Sequence, residues 1–199
     1  MGFTEIGNPE GIRVNIMEKI YYTPLETPLG RMWAAASKSG LVQFKISDDR
    51  EGFMRELKSR IKAEYVEDPS KFQQLRAELE RYFKGERLIF KGPFDMRGTS
   101  FQVEVWKAIH SIPNGKLTCY GGIAKQIGRP KAVRAVGNAV GDNPMGLIVP
   151  CHRVVSSNGR IGGFTGGLEW KRKLLAQEGI LDSPKNKSET GVDLRKFFK

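Results

Sequence analysis

The residues best suited to chemistry lie side by side at Cys151, His152 and Arg153. A cysteine reacts as its thiolate, and a nearby proton acceptor or cation favours that form. His152 can accept the proton, and Arg153 adds a cation. The chain has only two histidines, and one of them occupies this position. These residue types therefore predict a nucleophilic cysteine.

The alternative is a cysteine that only packs, since free cysteine is among the most buried residue types. Ile148 and the valines at 149, 154 and 155 predict a buried strand around it. Pro150 has no amide proton, so it must sit at the end of that strand or at a bend. Cys151 is therefore expected at a kink in buried backbone.

Three helices are predicted ahead of the cysteine. Thr99 and Gln102 have capping-box spacing and open a helix that stops before Pro113. Two short helices follow, one from Tyr120 to Ile127 and one that starts with Pro130 in its first turn and runs to about Val140. With Gly128 between them, this order is typical of a helix-turn-helix, although any two packed helices can look alike.

The second short helix has two distinct faces. Its valines at 133, 136 and 140 are expected to point inward, whereas Lys131, Arg134 and Asn138 share another face. The remaining residues are small, so this face is suited to close contact with DNA.

A carboxylate is predicted on the apolar face of the last helix. Glu178 follows Leu174 and Leu175 by four and three residues, so it shares their face and would be costly to bury without a partner. The alternative is an exposed Glu at a frayed helix end.

The first half of the chain predicts a small α/β domain without a catalytic cluster. Turn residues separate three short strands, and two apolar stripes of helical spacing follow, the second capped by Asp68 and ended by Gly85. The predicted strands are 20–23, 31–36, 41–46 and, after the helices, 88–94.

Charge and composition narrow the class of protein. The 199 residues, 39% of them hydrophobic, suffice for two small domains. Residues 98–182 hold 11 basic and 5 acidic side chains, whereas residues 1–97 hold 17 and 15. A basic domain suits phosphate backbones, although a solvated basic face has the same composition.

No apolar run or leader predicts a membrane span or secretion, so the protein is expected inside the cell. Cys119 and Cys151 are therefore expected to be free thiols, and no metal site is expected.

The stretch from Pro150 to Val155 resembles the active-site motif of the O6-alkylguanine-DNA alkyltransferases, which move an alkyl group from guanine onto their own cysteine. The resemblance is tight from about residue 99 to residue 180 and includes five further segments: 120–124, 130–137, 141–144, 162–167 and 174–179.

This resemblance implies a fold and a reaction. The expected domains are a ribonuclease-H-like α/β domain at 1–97, a mostly α, winged-helix-like domain with the helix-turn-helix at 98–182, and a basic tail at 183–199. The expected partner is double-stranded DNA that contains alkylated guanine. A monomer without cofactors would flip the base and transfer the alkyl group irreversibly to Cys151.

The resemblance also implies roles for single residues. His152 would take the thiol proton through a water, with Glu178 orienting it, and Asn143 would tie the helix-turn-helix to the active-site strand. Tyr120 would help guanine leave as a neutral base, and Arg134 would fill the gap left by the flipped nucleotide. Further positions implied to contact DNA or the guanine are Gly121, Arg129, Val154, Ser157, Phe164 and Thr165.

Two other classes of protein remain as alternatives. A Cys-His hydrolase would form an acyl-thioester that water cleaves, whereas an alkylated cysteine is a stable thioether. An alkyltransferase-like protein would bind DNA but lack the acceptor, and the presence of Cys151 argues against it. The sequence departs from the family's pattern at three positions that bear on the width of the pocket. Many relatives have a tyrosine in place of Phe164, a serine is frequent in place of Thr165, and some relatives have a proline in place of Gly146.

Overall fold

The computed structural model describes residues 17–181 and 194–198. Its N-terminal half is built on four strands: β1 (Lys19–Thr27), β2 (Gly30–Ser37), β3 (Gly40–Ile46) and β4 (Glu64–Glu67). The order in the sheet is β3-β2-β1-β4, with the first three strands antiparallel and β4 parallel to β1. The tight turns before β2 and β3 use Gly30 and Gly40, whose positive φ angles of 125° and 137° other residues rarely adopt.

Helices cover both faces of this sheet. Helix α1 (Arg50–Arg60) begins at Asp49, whose side chain accepts a hydrogen bond from Gly52, and it buries Phe53 and Leu57. Helix α2 (Gln73–Phe83) follows a 3-10 turn and packs its apolar stripe on the opposite face. The core of that second face continues into the C-terminal half, so the two halves share one hydrophobic cluster.

The C-terminal half is mostly helical. Its elements are α3 (Ser100–His110), β5 (Thr118–Cys119), α4 (Tyr120–Gln126), α5 (Val133–Gly141), β6 (Val154–Val155) and α6 (Leu168–Gln177). The predicted capping box at Thr99 and Gln102 is present. Trp106 on α3 donates its indole N–H to the carbonyl of Ala139 on α5 over 2.8 Å, which ties α3 to the helix-turn-helix.

Helices α4 and α5 form the predicted helix-turn-helix, with Gly128 at φ 71° in the turn. Helix α5 begins later than predicted: Pro130 belongs to the turn, and the helix starts at Val133. Val133 was also wrongly assigned to the inward face. It is 40% exposed, because the buried stripe of α5 runs through Val136, Ala139 and Val140.

Two strand predictions were wrong, the one at 88–94 and the continuous strand from 148 to 155 around the cysteine. Residues 88–94 form no regular strand, and only Phe94 makes an isolated bridge to Leu41. The fourth strand of the sheet is instead β4, a short and half-exposed segment that carries little hydrophobic signal. Around the cysteine, Cys151–Arg153 is a 3-10 turn, and only Val154 and Val155 are extended.

Residues 183–193 and 199 of the predicted basic tail lie outside the described residues, as do residues 1–16 and 182. The described end of the tail docks on the body, where Leu117 donates its N–H to the carbonyl of Phe197 over 2.9 Å. Phe197 and Phe198 pack beside the buried Leu194. Within 17–181 and 194–198, no helix has the length and apolarity needed to cross a membrane.

Candidate active site

Cys151 opens the 3-10 turn directly after Pro150 and is 8% exposed. The chain turns sharply here, since Cys151 N–H donates to the carbonyl of Val149 over 2.7 Å and Arg153 N–H to that of Pro150 over 2.9 Å. Strand β6 then pairs with β5 through Val154 and Thr118. The predicted kink at Pro150 is therefore confirmed, and it turns the thiol towards a cavity.

Asn143 holds the other side of this turn. Its Nδ2 donates to the carbonyl of Val149 over 2.7 Å, and its Oδ1 accepts from the N–H of Met145 over 3.0 Å. The same side chain lowers the pKa of the Cys151 thiol. Because Asn143 follows α5 by two residues, it links the helix-turn-helix to the cysteine as predicted.

His152 and Glu178 are in direct contact. The Nε2 atom of His152 lies 2.9 Å from Oε1 of Glu178, and both side chains are fully buried. Burial lowers the pKa of His152 below its ordinary value, although Glu178 opposes that change. The ring is therefore neutral at pH 7, with a proton on Nε2. Its Nδ1 is buried without a hydrogen-bond partner among the described residues and is the basic nitrogen.

Glu178 is held by more groups than the sequence indicated. Arg153 donates to both carboxylate oxygens, at 2.7 Å from Nη2 and 2.9 Å from Nε, and its Nη1 donates to the carbonyl of Ile112 at 2.7 Å. Tyr82 of α2 donates its hydroxyl to Oε1 over 3.3 Å. Burial alone would raise the pKa of Glu178, but His152 and Arg153 lower it to about 2. The carboxylate is thus charged at neutral pH.

A second buried charge lies on α6. Lys171 is fully buried and donates to the carbonyls of Val154, at 2.7 Å, and Gly163, at 3.1 Å. It joins the strand after the cysteine to the following loop. Burial lowers the pKa of Lys171 to about 8, while the nearby Cys151 favours its charged form.

These surroundings act on the thiol in opposite directions. Burial raises the pKa of Cys151, whereas Asn143 and Lys171 lower it, and burial is the larger effect. The resting thiol is therefore protonated at neutral pH. It needs a base at the moment of reaction, and His152 is the adjacent candidate.

A cavity of about 490 Å³ opens over Cys151. Tyr120, at the start of α4, is half-buried in its wall, and burial together with the nearby Cys151 raises the pKa of its hydroxyl. Phe164 and Thr165 line the cavity from the loop ahead of α6. The hydroxyl of Thr165 donates to the carbonyl of Gly141 over 3.0 Å, so this loop is tied to the end of α5.

Two family models match the chain, one in each half. The ribonuclease-like domain of 6-O-methylguanine DNA methyltransferase matches residues 20–96, and the DNA binding domain of 6-O-methylguanine DNA methyltransferase matches residues 100–180. This chain belongs to the 6-O-methylguanine DNA methyltransferase family.

Individual relatives of this family agree over most of the chain. The methylated-DNA–protein-cysteine methyltransferase of Mycobacterium bovis is 38% identical over 178 residues, which cover 89% of this chain and 99% of the relative. The same-named protein of Methanosarcina acetivorans is 39% identical over 160 residues, covering 80% and 99%. The crystal structure of Mycobacterium tuberculosis OGT in complex with DNA superposes with a TM-score of 0.69 at 38% identity, covering 80% of this chain and 93% of that one. The predicted family and the predicted fold of both halves are confirmed.

The structure of this methyltransferase separates the predicted site residues into two groups. The first surrounds the thiol or its cavity and comprises Asn143, His152, Glu178, Tyr120, Val154, Phe164 and Thr165. The second lies on the outer face of the helix-turn-helix and its neighbouring loop. There Arg134, Arg129 and Ser157 are exposed and Gly121 is half-buried.

The resemblance also implies that the carbonyls of Cys151 and Val154 accept hydrogen bonds from the guanine amine, and both carbonyls, as well as the predicted DNA contact Arg129, already have partners within the methyltransferase. The carbonyl of Val154 accepts from Lys171, and that of Cys151 accepts from the N–H of Val154. Each carbonyl has two lone pairs, so each retains one for a guanine amine. The guanidinium of Arg129 lies 3.2 Å from the carboxylate of Glu104 and stacks over Phe101.

Sequence reasoning missed three residues of this site. Lys171 lies seven residues before Glu178 and shares its apolar stripe, so the signal that identified Glu178 was also available for Lys171. Arg153 was noted beside the cysteine but given no partner. Tyr82 lies in the second apolar stripe of the N-terminal half, and no local pattern connects it with a carboxylate 96 residues away.

Proposed function

We propose that this chain repairs DNA directly, by moving the methyl group from the O6 atom of guanine to its own Cys151. The observation that carries the assignment to Cys151 is its position at the floor of the cavity, next to a buried His152 and Glu178 pair. Attack on an alkyl carbon leaves a thioether that water does not cleave. Each chain therefore acts once.

The buried groups define the proton path. His152, whose Nε2–H donates to Glu178, uses Nδ1 to take the thiol proton, through a water as in the family. The charge then formed on the imidazole is stabilised by a carboxylate at 2.9 Å. Because Glu178 is also bound by Arg153, its position does not depend on the state of the histidine.

Tyr120 is suited to the leaving group. Its hydroxyl borders the same cavity, and its raised pKa keeps it protonated at neutral pH. As the carbon–oxygen bond breaks, O6 of guanine needs a proton to leave as a neutral base. The hydroxyl of Tyr120 can supply it.

The substrate is duplex DNA, and the helix-turn-helix is the proposed contact. Arg134 and Asn138 are exposed on α5, whereas Lys131, predicted on the same helix, is exposed in the turn before it. A guanine stacked in a duplex cannot reach a cysteine that is 8% exposed, so the nucleotide must flip into the cavity. We assign Arg134 to the gap that the flipped base leaves. Acting on DNA, the protein is proposed to work inside the cell.

Intact-mass spectrometry tests the assignment of Cys151. After mixing with a duplex that contains O6-methylguanine, each chain should gain one methyl group, mapped by peptide analysis to Cys151, without turnover. Cys119, also a free thiol, serves as the internal control. An unmodified chain, or a methyl group on Cys119, would contradict the proposal, and a released acid product would favour the hydrolase.

A further inference from the structure

Part of the wall of the cavity over Cys151 comes from the N-terminal half of the chain. The end of β3 and the last turns of α1 contribute Phe44, Lys45, Ile46, Glu56 and Arg60. This wall is near the nucleophile, because Phe44 N–H donates to the carbonyl of Pro144 over 2.8 Å. Pro144 follows Asn143, whose side chain donates to the carbonyl of Val149 at the cysteine turn, and Cys151 itself lines the same cavity.

The polar part of this wall is a cluster of two cations and one carboxylate. Glu56 pairs with Lys45 through one oxygen and with Arg60 through the other, the latter at 3.6 Å. One carboxylate cannot neutralise two cations, so this cation cluster of Lys45, Glu56 and Arg60 has a surplus positive charge. The side chains of Lys45 and Arg60 remain 41% and 37% exposed, which leaves both able to meet a ligand in the cavity.

Gly146 leaves the way to this wall open. It lines the same cavity, and a Cβ atom built there would have only the carbonyl oxygen of Phe44 within 4 Å, at 3.9 Å. A bulky side chain at this position would stand between the cysteine and the N-terminal wall. With glycine, a substituent on the reacting carbon has room to extend towards Lys45.

We propose that the cation cluster selects among alkyl groups and that this chain favours O6-alkyl groups which extend past the reacting carbon and end in an anion, such as carboxymethyl. An opposite charge in a partly enclosed cavity attracts the anionic end. The inference rests on the transfer to Cys151 proposed above and adds a class of substrate to it.

The reaction is the same displacement with a longer group. The Cys151 thiol gives its proton to His152, and its sulfur forms a bond to the methylene carbon. The bond from that carbon to O6 breaks, its electron pair goes to O6, and O6 takes a proton from Tyr120 as neutral guanine is released. Tyr120 regains a proton from solvent, and His152 releases the thiol proton to solvent. The product is S-carboxymethylcysteine, whose carboxylate faces Lys45 and Arg60.

Three duplexes of one sequence test the proposal. They carry O6-methylguanine, O6-carboxymethylguanine or O6-carbamoylmethylguanine, the last being a neutral adduct of nearly the same shape. Single-turnover rates are followed by intact mass, and the methyl rate of each variant normalises the other two. The wild type should transfer carboxymethyl faster than carbamoylmethyl. Replacing Lys45 and Arg60 by Met should lower that ratio by about fivefold, as expected for partly exposed ion pairs.

Two further variants sharpen the result. Glu56→Gln frees the cations and should raise the ratio, whereas Lys58→Met removes an exposed cation of α1 that does not line this cavity and should leave the ratio unchanged. The preference should weaken with added salt.

Specific outcomes would overturn the proposal. Equal carboxymethyl and carbamoylmethyl rates in the wild type would do so, and so would equal losses on all three adducts in the Lys45 and Arg60 variant, since such losses indicate a contact with the DNA backbone. Failure of the wild type to accept even methyl would instead refute the function proposed for Cys151, so the two failures are distinguishable.

Discussion

Replacing Glu178 by Gln tests the buried site most directly. The substitution keeps the shape of the side chain but removes the negative charge of Glu178, with which both His152 and Arg153 pair. Oε1 accepts from His152, Arg153 and Tyr82, so the amide oxygen should take that position and leave the tautomer of His152 unchanged. The amide nitrogen then lies beside Nε of Arg153, where the native carboxylate accepted a hydrogen bond. A neutral amide cannot stabilise the positive charge that forms on the imidazole when it takes the thiol proton, so His152 becomes a weaker base.

The cost in stability follows from the pKa of Glu178. It falls from an ordinary 4.5 to about 2 in the folded chain, and at 1.36 kcal/mol per unit the folded state gains about 3 kcal/mol from the charge. Because the folded pKa is the lower one, this contribution is complete above pH 4.5 and disappears as the pH falls towards 2. Glu178→Gln should lose it at neutral pH, lowering Tm by roughly 6–12 °C, and should lack this part of the acid dependence.

The effect on the reaction is expected to be larger. General-base catalysis contributes about 10²- to 10⁴-fold, so single-turnover methyl transfer at pH 7 should slow by at least about 10²-fold. The loss should shrink as the pH rises above about 8.5, where solvent begins to supply the thiolate. Burial raises the pKa of Cys151, so recovery should be incomplete at that pH. Rates are measured at a temperature where circular dichroism shows the variant folded, with DNA affinity determined separately.

The control is Glu169→Gln, which removes a charge from the exposed pair with Lys173 on the same helix and should change neither rate nor stability much. Members of one proton-transfer chain are non-additive, so Glu178→Gln should add little to His152→Ala. A folded Glu178→Gln variant with the normal rate at pH 7, or additive losses in the double variant, would refute the proton path.

Two other predictions address the buried lysine and the DNA face. Lys171→Met should raise the apparent pKa of Cys151, measured by iodoacetamide alkylation across pH, because the cation that favours the thiolate is gone; an unchanged profile would contradict this. The pKa of Lys171 falls from 10.5 to about 8 on folding, so between these pH values the unfolded chain holds a proton that the folded chain has lost. The free energy of unfolding of the wild type should therefore increase as the pH rises from about 8 to 10.5, and this increase should be absent in Lys171→Met. Arg134→Ala should slow repair of duplex DNA far more than transfer from the free base, because only the duplex requires the flipped state. Lys125→Ala on α4 is the matched exposed control, and equal losses on duplex and free base would remove Arg134 from base flipping.

The sequence alone predicted the family, the candidate nucleophile and most of the C-terminal half. Those conclusions depend on residues close together in the chain, such as Cys151 beside His152, or the capping box at Thr99. Glu178 was also predictable, because its helical spacing places a carboxylate among leucines. Local patterns failed where burial is set by neighbours far along the chain. Val133 looks like the other valines of α5, yet it is 40% exposed, because the buried stripe of the helix runs through Val136, Ala139 and Val140.

Only the tertiary structure decided what the N-terminal half contributes to the site. Tyr82 reads as one more apolar residue of α2, but packing of α2 against α6 brings its hydroxyl to Glu178. Lys45, Glu56 and Arg60 read as an ordinary solvated surface, and the pairing of Phe44 with Pro144 is what brings them to the cavity. Such juxtapositions depend on how two halves dock through a shared core. Docking leaves no periodic signal in either half, so it could not be read from the sequence.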